Sequence, residues 1–157
     1  MVRVMTQRDH FPASISEAII QTDSHSGATT IAPGGSLTIT GQVQGTIINY
    51  GTLVIKGRLL GNCINYGTYH LIGSHQGKSL QLKSGSRSVI HGQGRIDVSA
   101  ETGADLVVSP GAALSASSDN QHEAIVNAGA ISIGGGNVAH SLRSTGSVIF
   151  TGSSLFK

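Results

Sequence analysis

GSLTITGQVQGTIINYGTLVIKGRLLGNCINYGTYHLIG, from Gly35 to Gly73, holds one motif three times at an interval of sixteen residues. GSLTITG (Gly35–Gly41) is followed by GTLVIKG (Gly51–Gly57) and GTYHLIG (Gly67–Gly73). The second and third copies share the lead-in Ile-Asn-Tyr-Gly-Thr, at Ile48–Thr52 and Ile64–Thr68. A fixed short period with alternating apolar residues between glycine corners is the pattern of a β-solenoid, in which a coil buries its apolar side only by stacking on its neighbours. Looser copies continue as GSRSVIHG (Gly85–Gly92), GADLVVSP (Gly103–Pro110), GAISIGG (Gly129–Gly135) and GSVIFTG (Gly146–Gly152). The motifs close at positions 41, 57, 73, 92, 110, 135 and 152, which makes about seven coils. The 25-residue step carries an insertion, assigned to Ser117–Glu123. Weaker strands at Gly94–Val98 and Ala113–Ala116 are expected on other sides of the coils.

The expectation is therefore an all-β, single-stranded β-solenoid over residues 27–157. Right-handed winding is favoured, because no six-residue apolar repeat of the left-handed kind is sustained. Residues 1–26 stand outside the repeat and read as an N-terminal cap or assembly segment. Within them Ser14 lies three residues before Glu17, a capping-box spacing that suggests a short helix or turn over Ser14–Ile20.

Composition supports a folded chain. There are 22 glycines, no tryptophan and few charges among 157 residues, yet Ile, Leu and Val recur at every second position before the glycines. No run is long and apolar enough to span a membrane. The first twenty residues lack an apolar core followed by a small-residue cleavage site, so no signal peptide is expected, and a cytoplasmic or particle-associated location is favoured. The single Cys63 leaves no internal disulfide framework and reads as a small buried hydrophobe.

In a solenoid, equivalent residues of successive coils stack about 4.8 Å apart, so each position becomes a column. Counting back from the closing glycines, Ile39, Ile55, Leu71, Ile90, Val108, Ile133 and Phe150 form one column. Leu37, Leu53, Tyr69, Ser88, Leu106, Ile131 and Val148 form another, with Ser88 the poor fit. Period-two alternation turns both inward. The column between them, Thr38, Val54, His70, Val89, Val107, Ser132 and Ile149, faces outward and is only half polar. Val54, Val89, Val107 and Ile149, with Leu155 and Phe156 beyond the last coil, are the expected assembly face. Asn49, Asn65 and Asn127 each precede a glycine by two residues, and Gln81 falls in their column by the sixteen-residue count. Stacked amides suit a corner, where Gly51, Gly67 and Gly129 are expected to supply positive φ. Tyr50 and Tyr66 read as an aromatic ladder or, alternatively, as a platform for a sugar ring.

Charge is uneven along the chain. Ser24–Ile96 contains no carboxylate, while Lys56, Arg58, Lys78, Lys83, Arg87 and Arg95 give +6. Residues 97–157 carry five acids and two bases. A rod with a basic front and an acidic back favours head-to-tail contact. The six cations are dispersed rather than interleaved with aromatics, which argues against nucleic acid as a partner.

No catalytic constellation stands out. There is no nucleophile elbow, P-loop or dinucleotide fingerprint. Asp97, Glu101 and Asp105 match no calcium loop and read as solvated acids. His70, His75 and His91 lie on neighbouring coils, but no HxH or HExxH spacing supports a metal site. An ice-binding array of outward threonines is broken at once by Thr38, Val54, His70. No cofactor is expected.

The run Gly35–Ile64 resembles the bactofilin core, whose short coils read glycine, apolar, x, apolar, x, glycine, x, apolar, x, glycine, x, apolar. Gly35, Leu37, Ile39, Gly41, Val43, Gly45 and Ile47 follow it, as do Gly51, Leu53, Ile55, Gly57, Leu59, Gly61 and Cys63. The resemblance covers about Pro33–Gly77 and implies a β-helix that polymerises without nucleotide into filaments. The later coils, NAGAISI from Asn127 and STGSVIF from Ser144, look more like haemagglutinin-type adhesin and autotransporter passenger domains, and phage tail and spike proteins use similar solenoids. The favoured function is a non-enzymatic, self-associating scaffold that forms a homo-oligomer or polymer. A carbohydrate-binding or adhesin module, using Tyr50, Tyr66, Asn49 and Asn65 toward a glycan, is the alternative. A polysaccharide lyase or hydrolase is the third reading.

Overall fold

A computed structural model describes residues 2–115, 125–133, 137–138, 142–150 and 155–156. The chain is an all-β solenoid of parallel strands. Each sixteen-residue coil turns through three short strands, exemplified by Ser36–Ile39, Gln42–Gln44 and Ile47–Asn49, before Thr52–Ile55 returns to the first side. Three faces result. Face A is a stack of nine strands, Val2–Met5, Ala18–Gln21, Ser36–Ile39, Thr52–Ile55, Thr68–Leu71, Arg87–Ile90, Asp105–Val108, Ala130–Ile133 and Ser147–Phe150. Face B runs from Ser24–Ser26 through Gln42–Gln44 and Arg58–Leu60 to Ala113–Ser115 and beyond. Face C runs from Ser14–Ile15 through Ile47–Asn49 and Cys63–Asn65 to Ile125–Asn127 and Leu142–Ser144. The long strands Ser74–Leu82 and Gln93–Ala100 cross the B–C corner and take part in both faces.

Every repeat strand read from the sequence lies on face A in the expected register. Ile39 pairs with Ile55, Ile55 with Leu71, Leu71 with Ile90, and Ile90 with Val108. From Leu37 to Ile131 the described inward residues are buried, with Ser88 fully enclosed among them, and Val148 is partly buried. The extra residues of the long step fall between Ser115 and Ile125; Ser117–Glu123 lies outside the described residues, as do the side chains of Leu155 and Phe156.

Three expectations change. First, Ser14–Ile20 forms no helix: Ser14–Ile15 and Ala18–Gln21 are strands on faces C and A. Ile15 and Ile19 alternate into the core, and that burial overrides the local capping signal. The two strands Val2–Met5 and Ala18–Gln21 thus extend face A by two rungs. Second, Gln81 does not join the asparagine column. A register shift between Gln76 and Ser79 adds one residue to that coil, so Leu82 faces Asn65 and Gln81 turns outward beside Ile64. Third, Gly51, Gly67 and Gly129 do not have positive φ. They are required by space: a Cβ on Gly67 would lie 2.2 Å from the Gly51 carbonyl oxygen, and one on Gly51 2.2 Å from that of Gly35.

Two coils escape that steric demand. Ser86 and Ala104 occupy the same corner column, as the bonds from Arg87 N–H to Gly67 O and from Asp105 N–H to Ser86 O establish. There the chain takes a longer turn through Gly85 (φ 83°) or Gly103 (φ 90°), and the corner opens. Ser86 Oγ is buried without a hydrogen-bond partner. In urea unfolding, Gly67→Ala should therefore cost about 2 kcal/mol or more through overpacking. Ser86→Ala, in the same column, should be neutral or stabilising by up to about 1 kcal/mol, because it removes an unpaired buried hydroxyl. Equal losses at both positions would refute the steric account.

Candidate functional site

The corner between faces C and A carries the ladder residues. Asn49, Asn65 and Asn127 point inward and are buried. Each amide oxygen accepts the N–H of the glycine two residues on, at 3.0 Å for Gly51, 3.2 Å for Gly67 and 3.0 Å for Gly129. Asn49 Nδ2 donates to Asn65 Oδ1 on the next coil at 2.8 Å and to the Thr68 carbonyl at 2.8 Å. Asn65 faces Leu82 instead of another amide, and its Nδ2 donates to Ser88 Oγ at 3.0 Å. This explains Ser88: its hydroxyl takes over the bond that the register shift removed. Asn49 and Asn65 are fully buried, so their amides are out of reach of a glycan at the surface.

Tyr50 and Tyr66 emerge beside them at 44% and 41% exposure, stacked at 4.6 Å with planes 10° apart. The aromatic ladder is present. Each ring covers one face of the other, and the same corner column continues to Lys83 and Glu101, paired at 3.2 Å.

The outward column of face A assembles as expected. Val54, Val89, Val107 and Ile149 share it, and Val107 and Ile149 are 39% and 58% exposed. Around Ser132 and Ala130, small residues between Val107 and Ile149, lies a groove of about 360 Å³ with Arg87 and Asp105 at its margin. Val4 and Ile20 belong to the same column but were missed because residues 1–26 carry no glycine-bounded repeat. A second groove, of about 500 Å³, lies on face B over Ser74 and Ser115, walled by Arg58, Gln76, Gln93 and Arg95. It escaped the sequence reading because each coil gives face B only about three residues, such as Ser74–Gln76 and Gln93–Arg95 at the start of longer strands, too few to show alternation.

The acids and histidines considered for catalysis or metal binding are spread over the coil. Asp97 stands on face C, Glu101 at the C–A corner and Asp105 on face A. His70 faces outward on face A, His75 inward from face B, and His91 lies at the A–B corner. Among the described residues no group of three His, Cys, Asp or Glu is placed to hold a metal ion. No helix among them is long and apolar enough to cross a membrane.

One polar cluster lies inside the core. His75 and Tyr69 are buried, with His75 Nδ1 2.7 Å from the Tyr69 hydroxyl and His75 Nε2 2.8 Å from the Gly61 carbonyl. A carbonyl only accepts, so Nε2 carries the proton and Nδ1 accepts from the phenol. Burial pushes the Cys63 thiol up to about 12 and, with Cys63 nearby, holds the Tyr69 phenol well above its ordinary value. Neither is a nucleophile at neutral pH.

Burial lowers His75 from 6.5 to about 4, partly opposed by its bond to Gly61 O. The unfolded chain takes up this proton near pH 6.5, whereas the folded chain resists until about pH 4. The corresponding stability, about 3 kcal/mol, is fully present above pH 6.5 and lost as pH falls toward 4. Unfolding free energies measured from pH 7.5 to 4 should show that loss, and the His75→Leu, Tyr69→Phe double variant should lack this share of it. An unchanged slope in the double variant would place the proton uptake elsewhere.

No protein family, no curated protein and no solved structure matches the chain.

Proposed function

We propose that this chain is a non-enzymatic β-helical scaffold that self-associates, as a filament or as a component of a larger assembly such as a virion or surface structure. The observation that carries the reading is the apolar outward column of face A. A fully solvated sheet face alternates apolar-in and polar-out. Here Val4, Ile20, Val54, Val89, Val107 and Ile149 interrupt that rule on one face, and Val89, Val107 and Ile149 line an open groove there. The bactofilin-like spacing of Gly35–Ile64 supports the same reading. Sedimentation across a concentration series should show species larger than the monomer, and Val107→Lys should shift them toward the monomer. A monomer at every concentration, in low and high salt, would overturn the scaffold.

A second reading, a carbohydrate-binding or adhesin module, is favoured by the face B groove rather than by the tyrosine corner. Arg58 has no ion-pair partner among the described residues, and it stands with amides and hydroxyls over a coil segment free of carboxylates. Charged and hydroxyl-directed groups in one groove suit an acidic oligosaccharide. Calorimetric titration with an acidic hexasaccharide should show binding that weakens about tenfold in Arg58→Ser. No heat with either an acidic or a neutral sugar would remove this reading.

A further inference from the structure

The apolar column of face A has a pattern along the rod that selects its partner. Rung by rung it reads Val54, His70, Val89, Val107, Ser132, Ile149. The outward column beside it reads Thr52, Thr68, Arg87, Asp105, Ala130, Ser147. Arg87 and Asp105 are exposed, occupy adjacent rungs, and have no ion-pair partner among the described residues.

Over the six rungs from Val54 to Ile149 both columns become self-complementary when reversed about the midpoint between the Arg87 and Asp105 rungs, and the Val4, Ile20 and Thr38 rungs lie beyond this overlap. Arg87 then meets Asp105, and Val89 meets Val107. The larger His70 meets the small Ser132, and Val54 meets the protruding Ile149. Thr68 and Thr52 meet Ala130 and Ser147. The midpoint also coincides with the charge boundary of the chain: Ser24–Ile96 carries only cations, and five acids follow from Asp97 onward. Reversal therefore sets the basic half of one copy beside the acidic half of the other at long range, while Arg87 and Asp105 are the charges that meet on face A itself.

Resting on the self-association reading, we infer that face A is the interface of an antiparallel dimer, two copies of this chain related by a two-fold axis parallel to the strands and passing between the Arg87 and Asp105 rungs. Such an interface is isologous, so each contact occurs twice and the contact closes on itself. The competing two-fold arrangement, with parallel rods, sets Arg87 against Val89 and Asp105 against Val107. It sets both charges against apolar side chains and leaves them no opposite charge on the partner copy, which is unfavourable. A filament then uses dimers as its units and a different surface for growth.

Charge exchange tests the contact, and a spin label tests its direction. Arg87→Asp and Asp105→Arg, both at exposed positions, should each weaken dimerisation in sedimentation equilibrium by about tenfold or more. The double exchange should return to within about threefold of the original constant. Labels attached at Thr52→Cys should lie five rungs apart across the dimer, on the order of 24 Å. Parallel rods would bring them to about 10 Å, the spacing of packed sheets, and would overturn the antiparallel arrangement. Self-association that ignores both single exchanges, or a double exchange as weak as the singles, would overturn this interface while leaving the scaffold standing. A monomeric parent chain would overturn both.

Discussion

Everything in this molecule depends on one close approach, the backbone of each coil resting on the backbone of the coil before it. At the corners the carbonyl of one glycine occupies the space where the next glycine would carry its Cβ. On face A parallel hydrogen bonds then run from rung to rung, and each strand inherits the register of its neighbour. The asparagine ladder reinforces the same corner, since each Asn side chain closes its own Asn-x-Gly turn, and Asn49 also bonds to the coil above.

Register transmitted in this way converts sequence positions into ranks. A residue type repeated at one position becomes a stripe along the rod, and an exception becomes a local feature of that stripe. Ser132 between Val107 and Ile149 is such an exception and makes the face A groove; the small Ser74, Ala113 and Ser115 among longer side chains make the face B groove. Surface features here are properties of columns rather than of a few convergent side chains.

The polar groups in the interior serve register as well. His75 stands in a column with Leu59 and Leu114, and Gln21 in one with Ile39, yet each is fully hydrogen-bonded where it sits. Displaced by one rung, His75 would lose the Tyr69 hydroxyl, and Gln21 the Gly41 N–H and the Gln42 carbonyl. Leaving such groups unpaired in an apolar interior costs more than their bonds contribute. Buried polar residues thereby penalise slipped stackings that a uniform aliphatic core would tolerate.

Period and alternation were legible in the residues alone, because strand geometry forces a two-residue repeat and stacking forces a coil-length one. From them came the solenoid, its inward columns, the tyrosine and asparagine ladders and the apolar strip of Val54, Val89, Val107 and Ile149. The tertiary structure decided what depends on the count of residues between strands and on space at the corners. One added residue before Ser79 moved Gln81 outward and called on Ser88. Backbone crowding, not φ, accounted for Gly51 and Gly67. Burial of Ile15 and Ile19 drew the first 26 residues into the faces. Spacing between elements and the room left by neighbouring coils are long-range quantities, and no local window of sequence contains them.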